Sequence, residues 1–458
     1  MNLKVQAKLD PGFAPMALVC KNMREGAAEN GQDIVIAAER NKGYTTVYKT
    51  RIYKDNTGHD EENCKFIDRI AKTLLWVSGG YKLIIAGSKV VGEYIKNTFC
   101  YDGTRDFDVR FMERVYEEKF EVILTDLEHA PEDKSSAAPV GRHLDGCRIG
   151  FDAGGSDRKV SAVVNGETVY SEEVVWFPKI NSDPEYHYQG ILDAMKTAAS
   201  HMPRVDAIGV SSAGVYIDNK IMVASLFLKV SDEDFERRVK NMYIDVAREI
   251  GENIPIEVAN DGDVTALAGA MSLNENGVLG IAMGTSEAAG YVDMDGNITG
   301  WLNELAFAPV DFNENAMIDE WSGDWGCGVK YFSQDGVIKL APYAGIELDE
   351  SLSPAEKLKV VQNLMAEGDE RAAAIYETIG TYFGYTIAYY CEFYDIRQVL
   401  IMGRVTSGKG GELLLAKAKE VMATEFPELN KKVTLNIPDE KARRVGQSVA
   451  AASLPKIL

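Results

Sequence analysis

No apolar run in this 458-residue chain approaches the roughly 20 residues that cross a membrane as a helix. The opening residues, MNLKVQAKLDPGF, carry no apolar stretch of the kind a secretory signal needs, so a cytoplasmic protein is expected. Basic charge is scarce: 49 Lys and Arg against 70 Asp and Glu leave a net charge of −21 at pH 7. Nucleic acid and anionic membranes both need a basic surface, so neither is an expected partner. An anionic ligand in a local pocket is still allowed. No CxxC pair occurs. Cys20, Cys64, Cys100, Cys147, Cys327 and Cys391 are scattered, which predicts reduced thiols that mostly fill core.

What is present is ordinary globular composition, 46% apolar and 26% charged, in a chain long enough for two or three domains. The clearest seam is HAPEDKSSAAPVGR at residues 129–142, rich in proline, serine and charge. Beyond it, strand-length apolar runs (DAIGV from Asp206, IEVAN from Ile256, VLGIAM from Val278, QVLIM from Gln398) alternate with helical patterns. In SDEDFERRVKNMYIDVAREIG, Phe235, Val239, Met242, Val246 and Ile250 recur at spacings of three and four. That spacing predicts one helix, capped by Ser231 and stopped at Gly251. Such alternation indicates an α/β fold with largely parallel sheet. The region before the seam runs strand, hairpin, helix, strand in the same order. It is read either as a degenerate copy of the region after the seam or as an unrelated α/β unit. The aromatic run YETIGTYFGYTIAYYCEFYD, with Gly380, Gly384 and Ala388, predicts a buried helix against which another element packs closely.

The stretch CRIGFDAGGSDRKVSAVV, from Cys147, places an aspartate and a glycine turn between two apolar strands. It fits two readings. In one, Gly154 and Gly155 are hairpin residues that supply positive φ. Alternatively, the turn brings backbone N–H groups up to a phosphate, with Asp152 holding a hydrated Mg²⁺. A helix does not follow, so this is not a GxxxxGK[ST] loop. Three further stretches bear on the choice. IEVANDGDVTALAG sets Asn260 and Asp261 between a strand and an Ala-rich helix, a pattern that also makes a helix cap. VLGIAMGTSEAAGYV is a second strand–loop–strand unit. VLIMGRVTSGKGGELL is a late strand, turn and helix start.

In order, these four elements resemble the phosphate-one, catalytic-aspartate, phosphate-two and adenosine elements of the sugar kinase/actin-type ATPase superfamily. The closer resemblance is to its ROK (repressor, ORF, kinase) family, over roughly residues 148–458. The resemblance implies an actin-like (ribonuclease H-like) fold of duplicated α/β domains around an interdomain cleft, preceded by an extra α/β N-terminal domain. The expected boundaries are 1–146 for that domain, 147–270 and 271–440 for the two lobes, and 441–458 for a C-terminal helix returning to the first lobe. It implies ATP and Mg²⁺ as cofactors and phosphoryl transfer to a hydroxyl of a sugar or sugar-like metabolite. Asp261 matches the general base, and Asn260, Glu304 and Ser212 match substrate-binding positions. Asp152 (to Mg²⁺ through water), Gly154, Gly155, Ser156 and Lys159 match the first phosphate site. Gly284, Thr285, Ser286 and Gly403 match the second phosphate and adenosine turns. Two other readings stand beside the kinase: a ligand-binding regulator or assembly module with little or no kinase activity, and ATP hydrolysis coupled to domain motion. A homodimer is one open option for the oligomeric state.

The chain also departs from the family pattern. Where ROK kinases show GTGxGGG it reads GTSEAAG, and Glu287 would repel triphosphate oxygens unless it points away. Phe307 stands where the family has a sugar-binding histidine. Glu320 and Ser322 replace two zinc cysteines, leaving Cys327 alone. One cysteine cannot make a tetrahedral site, so no structural zinc is expected, and Trp321 and Trp325 are the expected replacements for its cross-link.

Overall fold

The structure, a computed structural model, describes residues 2–134, 140–438 and 440–457, the side chains of 440–445 excepted. Part of the proline- and serine-rich seam, residues 135–139, lies outside the described residues. The chain divides into two compact units. One comprises Met1–Ser136, Ile281–Ala289 and Gly300–Ile437; the other comprises Ala137–Gly280, Gly290–Thr299 and Pro438–Leu458.

The first unit starts with helix α1 (Met16–Gly26), followed by the hairpin of β1 (Gly31–Glu39) and β2 (Thr45–Tyr53). Helix α2 (Asp60–Ser78) opens with Asp60, Glu61 and Glu62, which suit the positive end of the helix dipole, and its remaining length is almost wholly buried. Then come β3 (Lys82–Ala86), α3 (Lys89–Thr98), α4 (Asp106–Tyr116) and β4 (Glu121–Thr125), giving a sheet of order β2-β1-β3-β4. Strand β3 runs antiparallel to β1 and parallel to β4.

The second unit begins with an antiparallel meander, β5 (Cys147–Ala153), β6 (Asp157–Val164) and β7 (Glu167–Val175). Helix α5 (Pro184–Ser200) has Pro184 at its first position and Asp183 as its cap. It returns the chain to β8 (Ala207–Ser212), which pairs parallel with β5. A hairpin of β9 (Val215–Ile217) and β10 (Lys220–Val223) follows, then α6 (Met242–Ile250), β11 (Ile256–Asn260) and α7 (Asp261–Leu273). The sheet order is β11-β8-β5-β6-β7, with β11 parallel to β8. Its core gathers Ile149, Phe151, Ile208, Val210, Met195 and Tyr243. The helix predicted over 231–251 is interrupted. Phe235–Val239 is wound as a wider π turn, and the Lys240 carbonyl accepts from the N–H of Ile221 on β10 instead of continuing the helix.

The remaining sheet has order β13-β12-β14-β15, from β12 (Val278–Met283), β13 (Glu287–Val292), β14 (Gln398–Met402) and β15 (Thr434–Asn436). The aromatic run forms helix α8 (Glu370–Tyr390), buried as expected. A Cβ on Gly384 would stand 2.6 Å from Val421 Cβ on α9 (Lys409–Glu425), so the two helices meet at closer range than any side chain would allow. The chain ends in α10 (Glu440–Ala452). Gly150 and Gly209 pair across β5 and β8, and a Cβ on either would collide with the α10 carbonyls of Ser448 and Ala451. Two facing glycines thus make the floor on which the last helix lies.

Two expectations need restating. Residues 1–136 group with later segments of the chain instead of standing apart as 1–146. The N-terminal sheet also does not repeat the lobe topology, because a copy would set β3 parallel to β1 as β8 is to β5. All six cysteines are free, four of them buried. No helix among the described residues is long and apolar enough to cross a membrane.

Candidate functional site

In the second unit the candidate residues gather at one end of the sheet. Asp152 ends β5 beside Ser211 on β8, and Asn260 ends β11 beside Ser212. Asp152 and Asn260 are therefore two strand spacings apart, about 10 Å. Both stand at the carboxyl ends of parallel strands, where open α/β sheets place ligands. Asp152 is 9% exposed and accepts a 2.9 Å hydrogen bond from Ser211 Oγ. Burial pushes its carboxyl up to about 6; the Ser211 bond opposes that rise and the negative charge of Asp261 adds to it. Asp261 is the first residue of α7 and is partly exposed. Burial also raises its proton affinity, against the Gly262 N–H and the positive charge of Lys179, which lower it.

The turn after β5 does not use its glycines for positive φ. Neither Gly154 nor Gly155 is among the residues with positive φ. Their requirement is spatial: a Cβ on Gly154 would stand 2.7 Å from the Asp157 carbonyl, and one on Gly155 would stand 2.8 Å from Lys179 Cε. The Trp176 indole N–H donates to the Gly154 carbonyl at 2.7 Å, and its backbone N–H donates to the Ser156 carbonyl. Among the described residues the N–H groups of Gly155 and Ser156 donate to no backbone carbonyl. The turn is thus fixed by its carbonyls and offers its amides, the arrangement that holds an anion.

Three nominated residues have other employment. Lys159 pairs with Asp157 at 3.0 Å. Ser212 is fully buried and accepts a 2.9 Å bond from the Tyr243 hydroxyl, so the substrate-binding role expected of it does not fit. Asn260 caps α7, accepting from the Gly262 N–H at 2.7 Å and donating to the Gly214 carbonyl at 2.8 Å. One of its amide hydrogens remains for a ligand.

In the first unit, Thr285 and Ser286 are exposed at the β12–β13 turn. Gly403 has φ 97°, and a Cβ there would collide with the backbone of Met283, so the late turn lies directly against the strand end that carries Gly284. Arg404 donates to Thr285 Oγ1 at 3.2 Å. Glu287 points away from the exposed tip: it is 4% exposed, and Gly328 is bare of a side chain where the Glu287 carboxylate would meet a Cβ. Among the described residues neither of its oxygens has a hydrogen-bond partner. Burial, with Glu304 adding, pushes its carboxyl up to about 8, so it is mostly neutral at pH 7. The repulsion expected of it at a phosphate is removed.

The loop in the zinc-segment position is held by charge. Asp324 accepts from Arg69 at 2.7 Å and from Lys72 at 2.8 Å, and pairs with Arg105 at 2.7 Å; all four are buried. Arg105 also bonds Asp68, and Lys72 lies 3.5 Å from Asp108, so three cations face three carboxylates. Trp325 stacks under Arg69 at 3.9 Å, as a replacement for the cross-link should. Trp321 does not contribute: it is 69% exposed. Phe307 packs on Trp76, Phe107 and Phe111, an aromatic cluster in place of a polar sugar contact. Among the described residues no three His, Cys, Asp or Glu side chains gather as a metal site.

The chain resembles solved structures of ROK proteins. The ROK hexokinase from Thermus thermophilus matches with a TM-score of 0.50 at 18% identity, over 67% of this chain and 97% of that one. A ROK family transcriptional regulator, a homologue of the E. coli MLC protein, matches at 0.51 and 18% identity, over 68% of this chain and 79% of that one. The chain has the ROK fold. No protein-family model and no curated protein matches it in sequence. Sequence reasoning missed Lys179 beside the glycine turn, Ser211 as the partner of Asp152, and Asp324 as the centre of the buried ion cluster. Lys179 follows a strand of mixed charge and bears no motif. Asp324 was legible as a carboxylate inside the altered zinc segment, but its three cations are far away in the chain.

Proposed function

We propose that the protein is a ROK-type kinase that transfers the γ-phosphoryl group of ATP to a hydroxyl of a sugar or sugar-like metabolite. The observation that carries this reading is the placing of Asp152 on β5 and Asp261 just after β11 at the same end of the sheet, two strand spacings apart, each within reach of the other's charge, with the amides of the glycine turn beside Asp152. Asp152 suits Mg²⁺ held through water, since among the described residues Ser211 alone bonds its carboxylate by a side chain and orients it. When bound, Mg²⁺ supplies positive charge to the phosphate oxygens.

The chemistry asked of the chain is then positioning and proton transfer. The glycine turn presents N–H groups to phosphate oxygens. Asp261 takes the proton of the substrate hydroxyl as its oxygen bonds to the γ-phosphorus, while the bond to the β-phosphate oxygen breaks and ADP departs. Burial, by raising the proton affinity of Asp261, makes it a stronger base than a free aspartate. Asn260 holds the start of α7 and so the position of Asp261. Calorimetry with Mg·ATP, followed by a metabolite screen for ADP release, tests the reading: micromolar to millimolar nucleotide binding and one class of accepted hydroxyl compound are expected. Absence of any nucleotide binding would overturn it.

A second reading, a ligand-binding regulator, is favoured by one feature: Phe307 fills an aromatic cluster where the family motif places a sugar-binding histidine. Tight sugar binding with no phosphorylated product would select it.

A further inference from the structure

Two lysines stand near the glycine turn, and the structure separates them. Lys159 is on β6 opposite Asp152, and its ammonium is engaged by Asp157 at 3.0 Å. Lys179 comes from the short 3₁₀ turn Pro178–Ile180 after β7. It is exposed and has no ion-pair partner among the described residues. Its side chain crosses the turn: a Cβ on Gly155 would stand 2.8 Å from its Cε and 3.0 Å from its Nζ. The glycine is therefore what lets the ammonium lie over the backbone of the turn.

The segment that carries Lys179 is fastened to the same turn. Trp176, three residues earlier, is 2% exposed and bonds both the Gly154 and Ser156 carbonyls. The backbone that carries Lys179 and the turn amides thus keep their relative positions. The positive charge of Lys179 is also felt at Asp261, whose proton affinity it lowers. Arg158, the other cation of the hairpin, lies against Gly190 of α5. Among the described residues Lys179 is therefore a cation without an ion pair that lies over the turn with the offered amides, and its charge reaches Asp261.

We infer that Lys179 is a catalytic residue whose ammonium, together with the amides of Gly155 and Ser156, binds the phosphoryl group in transfer. The transfer rests on the kinase reading above; the anion site rests on the geometry of this one unit. Lys179 keeps its proton throughout. As the hydroxyl oxygen bonds to phosphorus and the bond to ADP breaks, negative charge on the phosphoryl oxygens is stabilised by a fixed cation. Its charge also opposes the rise in proton affinity that burial gives Asp261.

The probe is inorganic phosphate with Mg²⁺, titrated by calorimetry at low ionic strength into the full-length protein and into Lys179→Met and Lys179→Arg variants. The wild type should bind phosphate. Lys179→Met should bind roughly tenfold to a hundredfold more weakly, the usual worth of one charge-assisted hydrogen bond. Lys179→Arg should retain most of the affinity. Once a substrate is known, Lys179→Met should cut kcat by about 10²–10³ while the KM for the sugar is kept. Equal phosphate affinity in wild type and Lys179→Met, or no phosphate binding by the wild type, overturns the assignment. If Lys179→Met loses phosphate but no metabolite accepts a phosphoryl group, the anion site stands and the kinase reading alone falls.

Discussion

The hydroxyl of Ser211 donates to the carboxylate of Asp152 across the gap between two parallel strands. One neutral hydrogen bond thus orients a carboxylate that burial would otherwise push toward its protonated form. Ser211 is itself fully buried, so its bond to Asp152 is not shared with solvent.

Replacing Asp152 with Ala should abolish the Mg²⁺ dependence of nucleotide binding. Ser211→Ala should weaken Mg·ATP binding about threefold to tenfold, the worth of one hydrogen bond that holds the carboxylate. Calorimetry with and without Mg²⁺ measures both. Unchanged binding in Asp152→Ala would remove this residue from the phosphate site.

Asp261→Asn keeps the size of the side chain and the helix start while removing the proton acceptor. Turnover should fall by about 10²–10⁴, with nucleotide affinity nearly unchanged. A variant with full turnover would end the assignment of Asp261 as base.

Glu287 couples stability to pH. Its ordinary value of 4.5 rises to about 8 in the fold, so between these values the folded chain holds a proton that the unfolded chain has released. Stability should therefore fall as pH rises through that window, by an amount on the order of a few kcal/mol. Glu287→Gln should flatten this dependence and be the more stable protein at pH 8. Urea unfolding at pH 5, 6.5 and 8 reads the slope, and identical slopes in the two proteins would show that Glu287 is not the source.

Asp324→Ala leaves Arg69, Lys72 and Arg105 facing only Asp68 and Asp108. A loss of about 3–5 kcal/mol in unfolding free energy is expected, because buried cations are left uncompensated. Chelators should leave the wild-type melting temperature unchanged, and elemental analysis should find zinc well below one equivalent. A tightly held equivalent of zinc, or an Asp324→Ala variant as stable as the wild type, would refute the ionic cross-link.

Much of the site was legible because its parts are local. Asp152 with its glycine turn, and Asn260–Asp261 between strand and helix, are short contiguous patterns whose chemistry does not depend on distant neighbours. The roles of single residues were less legible. Ser212 is expected at the substrate, but a strand's alternation does not say that Ser211 meets Asp152 and Ser212 meets Tyr243. Lys159 is expected at the phosphate, and nothing in the sequence shows that Asp157 engages it or that Lys179 crosses Gly155. Trp321 and Trp325 looked equivalent, yet one lies in solvent and the other under Arg69.

By itself, the sequence determined the alternation of strands and helices, the buried aromatic helix with its small residues, and the order of the four motifs. These follow from side-chain periodicity and turn chemistry, which act over a few residues. Only the tertiary structure decided the grouping of residues 1–136 with the late segments, the direction of β3 beside β1, and the partners of the buried charges. Ser211 meets Asp152 across 59 residues and Arg69 meets Asp324 across 255. Such pairs form because a buried carboxylate must find a donor or a cation somewhere in the fold. Which one it finds depends on the strands and helices that packing makes neighbours.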